Sequence, residues 1–184
     1  MSLEELLLEK KPIIVKKWFH LILETYPADA SQFLKKQKNQ FANPVGHTIS
    51  HGIKDLFEEL LKGMNPDKIS PLLDTIIRIR AVQDFSPSKA VAFIFLLKKV
   101  VREELKREIK EHQLSDELVK FDSMIDDLAL LAFDIYMQCR EKIYELKTNE
   151  LKNMTFGLLK RANLIYEIQE EESDFKSSNI INLK

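Results

Sequence analysis

The chain has little that would cross-link it or break it into short pieces. Its 184 residues hold one cysteine, four glycines and six prolines. The single thiol, Cys139, excludes an internal disulfide and fits a reducing compartment. The scarcity of glycine and proline favours long helices over many short strands. An excess of one charge sign is also missing. With 28 basic against 29 acidic residues, a formal net charge of −1 and no block of like charge, nothing tracks a phosphate backbone, and nucleic acid is not an expected partner. No hydrophobic run approaches the roughly 20 residues that span a bilayer; the most apolar later run is residues 90–97. The N-terminal run Leu3 to Leu8 is interrupted by Glu4 and Glu5, so it is not a signal peptide. Membrane insertion is not expected, and a cytoplasmic location is. What is present is ordinary globular material, 45% hydrophobic and 31% charged, enough to bury a core without a metal or disulfide.

Nearly every boundary reads as a helix start or stop. Pro12 opens a segment with Ile13, Ile14, Trp18, Leu21 and Ile22 at helical spacing, ending before Tyr26-Pro27. Asp29 or Ser31 starts a short helix carrying Phe33 and Leu34. Asn43-Pro44 is a cap residue followed by proline at the first helical position, and the next helix is expected from Val45 to Leu61. Gly63 and Asn65-Pro66 punctuate the chain again. Ser70-Pro71 offers a second cap-proline pair and Ser86-Pro87 a third, the latter opening a helix with Val91, Ile94, Leu97, Val101, Leu105 and Ile109 as one apolar stripe. Repeated Ser/Asn-Pro starts specify short turns between packed antiparallel helices, so the expected fold is all-α, a bundle or globin-like arrangement.

A last helix is expected from the cap Ser115-Asp116-Glu117, about residue 116, to about Glu170, with a flexible tail at 171–184. Within it Leu130, Met137, Tyr144, Leu151, Leu158 and Ile165 recur every seven residues. The accompanying row, Phe133, Arg140, Lys147, Met154, Arg161 and Ile168, is half polar. This is the pattern of a weak coiled-coil seam, with Met137, Tyr144, Leu151 and Leu158 as the candidate dimer row. The other reading is a long bundle helix whose inner face keeps that spacing. At 1.5 Å per residue the full helix would approach about 80 Å, which outruns a small domain.

Chemistry is sparse. There is no glycine-rich phosphate loop, no Gly-x-Ser-x-Gly elbow and no zinc-spaced Cys/His cluster, so no catalytic residue, metal ligand or cofactor-binding residue is assigned and no enzyme is expected. His47 and His51 lie four apart with Asp55 one turn further on, yet no glutamate follows His47 as a base; they read as satisfied or solvent-facing histidines. Haem would need an axial histidine on a middle helix. None occurs between His51 and His112, which leaves only His51 or His20, and no haem is expected. Phe93 and Phe95 read as core fillers or as the lining of a site for a small apolar ligand. Cys139, although near Arg140 and Lys142, reads as an inert half-buried core residue. Asp126-Asp127 and Glu103-Glu104 point about 100° apart on a helix and do not converge. Arg80 and Asp84, four apart, suit an ordinary helix ion pair.

The string Ile79-Arg80-Ala81-Val82-Gln83-Asp84-Phe85-Ser86-Pro87-Ser88-Lys89-Ala90 resembles the signature of the N-terminal domain of RsbR/RsbRD-type stressosome proteins, the RsbT co-antagonists. Asn43-Pro44-Val45-Gly46, residues 136–144 and residues 158–162 agree with it, so the resemblance covers roughly residues 12 to 162. It implies a globin-like, generally non-haem domain of about residues 1–170 that dimerises and serves as a sensory or docking module. Related non-haem domains hold fatty acids, which keeps a small apolar ligand in play. No STAS or kinase output segment follows the last helix, so the resemblance implies a stand-alone regulatory member with a protein partner. Ser86 is expected to cap the helix begun by Pro87 and Asn43 the one begun by Pro44. Gly46 is expected to permit close helix approach, and Arg80, Gln83 and Ser88 form a candidate docking or signalling surface.

Overall fold

The computed structural model describes residues 1–36, 39, 41–83 and 85–162, and the described residues form eight helices and no strands. They are α1 (Leu3–Glu9), α2 (Lys11–Glu24), α3 (Ala28–Lys36), α4 (Pro44–Leu61), α5 (Pro66–Val82), α6 (Pro87–Glu104), α7 (Lys106–Glu111) and α8 (Ser115–Arg161). The chain divides into two compact units, Met1–Tyr144 and Glu145–Lys184. The expected end of the last helix near Glu170 and the expected tail at 171–184 lie outside the described residues.

In the first unit, α4 packs on α5 and α2 on α6. Each contributes an apolar stripe at helical spacing, such as Ile49, Ile53, Leu56, Phe57 and Leu60 of α4, all fully buried. Trp18 of α2 closes the centre. Its indole donates to Phe93 O at 2.7 Å and its ring stacks on that of Phe93, with centroids 6.3 Å apart. The prolines act as read: Pro12, Pro44, Pro66 and Pro87 occupy the first positions of α2, α4, α5 and α6, where no intrahelical N–H is missed.

Two expectations about helix starts and one about a helix's continuity need correction. Ser70-Pro71 opens nothing, because α5 already starts at Pro66 under an Asn65 cap and runs through Pro71. A proline this near the start removes one hydrogen bond to the exposed Asp67, and burial of Ile69, Leu73, Ile76 and Ile77 on one face carries the helix past it. Ser86 holds the N-cap position of α6, but its hydroxyl caps no backbone N–H; it lies 3.4 Å from the Ser88 hydroxyl. The stripe from Val91 to Ile109 is split between α6 and α7 at Leu105. The sequence reading also passed over α1, although Ser2 and Glu5 form a reciprocal capping box. Its Leu3, Leu6 and Leu7 are buried, the Leu3 amide donates to Glu117 Oε2 at 2.7 Å, and Lys10 pairs with Glu108 of α7.

Asn43 does cap α4, accepting from the Gly46 amide at 2.8 Å while its own amide donates to Leu34 O at 3.0 Å. Gly46 serves this cap rather than a helix contact, since a Cβ there would lie 2.3 Å from Asn43 Nδ2. The close helix approach belongs to Gly52, whose added Cβ would meet Ile76 Cδ1 of α5 at 3.0 Å. In the second unit no described residue from 145 to 162 is buried. Asn43 is buried and joins α3 to α4, so Asn43→Ala should cost about 2 kcal/mol in urea unfolding, from the lost cap and the unpaired Leu34 carbonyl.

Candidate functional site

The first unit places one full charge in its core. Arg80, in the last turn of α5, is 0% exposed although α5 is otherwise an ordinary amphipathic helix. Its Nη2 donates to Oγ1 of Thr25, the residue that follows α2, and to Lys89 O of α6, each at 3.0 Å. Three aromatic rings surround the guanidinium carbon, with centroids at 4.3 Å for Phe85, 5.4 Å for Tyr26 and 5.5 Å for Phe93. The Tyr26 and Phe85 rings meet edge to face at 5.2 Å. Nε and Nη1 of Arg80 and the Tyr26 hydroxyl are buried without a hydrogen-bond partner. Burial lowers the Arg80 pKa, an effect that Tyr26 partly offsets, and burial likewise raises that of Tyr26 against the pull of Arg80.

Over this cluster opens a cavity of about 590 Å³ lined by Thr25, Tyr26, Pro27, Gln83, Phe85, Ser86 and Lys89. The connection from α5 to α6 that forms its wall is also tied to α8. Tyr136 Oη donates to Phe85 O, and Arg140 Nη1 donates to Ala81 O at 3.2 Å. Arg140 is further braced by the Tyr144 hydroxyl at 2.8 Å and by that residue's ring.

The expected surface of Arg80, Gln83 and Ser88 therefore needs correction at Arg80, which faces inward because three rings and two oxygens receive it. Gln83 and Ser88 are exposed, and Gln83 lines the cavity. The expected Arg80–Asp84 ion pair falls on Asp84, outside the described residues. Thr25 has no sequence signal, Phe93 reads only as a core filler or the lining of an apolar site, and Tyr136 enters only within the stretch 136–144; none of them, nor Tyr26, is tied to Arg80 by the sequence. They lie far from Arg80 along the chain, and Tyr26-Pro27 signalled only a helix stop.

On α8 the first unit exposes Met137 (38%) and Tyr144 (55%), and the second exposes Leu151 (63%) and Leu158 (62%); Ile165 and Ile168 lie outside the described residues. The rings of His47 and His51 stack at 3.9 Å, and His51 Nδ1 bonds His47 O at 2.9 Å. Among the described residues no three His, Cys, Asp or Glu side chains gather to hold a metal, and no helix is long and apolar enough to cross a membrane. His20, His51 and His112 are exposed and His47 is half-buried. Phe93 lies in the core, whereas Phe95 is exposed beneath the Lys98 ammonium and does not fill it.

A family model described as RsbT co-antagonist protein rsbRD N-terminal domain matches residues 12–151. The chain is 26% identical over 142 residues to a protein of Archaeoglobus fulgidus described as uncharacterized, covering 74% of this chain and 82% of that one. No solved structure matches.

Two outcomes follow from the buried groups. Arg80→Met keeps volume and removes an uncompensated charge, so urea unfolding should find it within about 1 kcal/mol of the parent or more stable, whereas Arg80→Ala leaves a void and should lose about 3 kcal/mol or more. The Cys139 thiol is pushed up by burial and by the Asp74 carboxylate, against the weaker pull of Arg78. Its thiolate fraction at neutral pH is therefore reduced, and iodoacetamide should alkylate the native chain several-fold more slowly than the urea-unfolded one.

Proposed function

Since the chain belongs to the RsbT co-antagonist protein rsbRD N-terminal domain family, we propose that it is a non-enzymatic regulatory and sensory module of stress or signal transduction. In this reading its body is globin-like, and it acts by dimerising and by contacting a protein partner. The observation that carries the reading is the exposure of Tyr144, Leu151 and Leu158, large side chains spaced seven apart on α8. Apolar side chains at that spacing are what a helix presents to another helix, and leaving them in water forfeits about 1.5–3 kcal/mol each. A second copy of α8 supplies the matching row without any further partner.

A second reading, a sensor for a small apolar ligand such as a fatty acid or haem, draws on a groove of about 560 Å³. Pro12, Ile13, Leu21 and Val100 give it an apolar floor, and Lys16, Lys17, His20, Glu24 and Glu103 a rim of mixed charge. Mass retained under native conditions and lost on denaturation would favour it.

The test of the first reading is the double variant Leu151→Glu, Leu158→Glu. Light scattering after size exclusion should give half the mass of the parent, with helicity by circular dichroism unchanged. A mass equal to the parent's at full helicity overturns the α8 interface.

A further inference from the structure

The α8 row concerns how two chains meet; the Arg80 cluster raises a separate question. A fully buried guanidinium is stable only when its charge is answered, and three ring faces and two neutral oxygens answer part of it without supplying a counter-charge. Nη2 reaches two neutral oxygens, Nε and Nη1 reach none, and among the described residues no carboxylate pairs with it. The Tyr26 hydroxyl, on a residue only 8% exposed, is also unpartnered and belongs to the wall of the adjoining cavity. Among the described residues its lining carries no acidic residue and one exposed cation, Lys89. It also includes the start of the 18-residue helix α6, whose first turn has no side-chain cap and whose Pro87 brings no N–H. Arg80 lies directly behind the cavity wall, in contact with Thr25, Tyr26, Phe85 and Lys89, all of which line it.

We propose that the cavity at the junction of α5 and α6 is a binding site for a small oxyanion, a carboxylate or phosphate group. The group sits between the Arg80 guanidinium, the Tyr26 hydroxyl, the Lys89 ammonium and the Ser88 and Lys89 amides. Nη2, which every guanidinium fork needs, already donates to Thr25 and Lys89, so Nε or Nη1 meets the anion through a single charge-assisted hydrogen bond. The Phe85 ring stacks on Arg80 and also lines the cavity, so it is the side chain that must give when the anion enters. Phe85 O receives the Tyr136 hydroxyl, so occupancy is felt at α8 within the first unit. None of this depends on α8 pairing with a second chain.

The experiment is nitrogen-edited NMR of the labelled full chain, titrated separately with inorganic phosphate and with acetate, chloride holding ionic strength constant. The expected result is saturation by at least one of them, with the Arg80 Nε–H and the Ser88 and Lys89 amides following one binding curve; which anion saturates identifies the group. Arg80→Met should weaken that curve at least tenfold, and the exposed-site variant Lys89→Met several-fold with the fold untouched. Shifts that grow linearly with both anions, or a curve that Arg80→Met and Lys89→Met leave unchanged, overturn the proposal. So does an Arg80 Nε–H signal that ignores both anions and moves only on Asp84→Asn, since the chain would then supply its own counter-charge.

Discussion

The first unit is organised around one guanidinium. Arg80 donates to Thr25, just past the end of α2, and to α6 through the Lys89 carbonyl, while rings from the α2–α3 connection, α6 and the connection before α6 close around it. Hydrocarbon side chains could fill the same volume more cheaply, because a desolvated cation recovers only part of its hydration energy from ring faces and neutral oxygens. What the arginine adds is direction. Its Nη2 ties the end of α5 to Thr25, just past α2, and to Lys89 of α6 at set distances, which a leucine would not do. Around that point the rest is conventional packing: proline-opened helices, an Asn43 cap, and Trp18 hydrogen-bonded across the core to Phe93.

This arrangement suits the regulatory role proposed above. The α5–α6 connection is held by Arg80 on one side and by Tyr136 and Arg140 of α8 on the other. A change at the cavity over Arg80 therefore reaches α8 through Phe85 and Ala81, two backbone carbonyls gripped by α8 side chains. A ligand shifts such a system only by as much as it prefers one packing to the other, and a buried, under-satisfied charge is where such a preference can be large. Membership of the rsbRD N-terminal domain family is consistent with a part that reports rather than reacts.

Much of the architecture was legible in the residues. The helix expected from Val45 to Leu61 is α4, Pro44–Leu61, because Asn43-Pro44 encodes its start locally. The Ser2–Glu5 capping box was equally local and went unread because the preceding run was weighed only as a leader. Ser70-Pro71 misled because the strength of a proline signal depends on where a helix has already begun. The seven-residue spacing on α8 could be read directly, while the exposure of Tyr144, Leu151 and Leu158 required the fold. Arg80 was found by its motif yet placed on the outside, since charge predicts exposure. Its burial is decided by Thr25, Tyr26 and Phe93, whose proximity is a property of how α2 and α6 pack, not of the sequence around residue 80.

The measurement that bears most directly on the Arg80 junction is a double-mutant cycle between Arg80→Met and Tyr136→Phe, read by urea unfolding of the parent, both single variants and the double variant. The two residues never touch in the hydrogen-bond pattern but share Phe85, whose ring covers one and whose carbonyl receives the other. If that junction is one unit, their effects are non-additive by about 1 kcal/mol or more. Additivity within about 0.5 kcal/mol would mean that α8 does not sense the arginine at all.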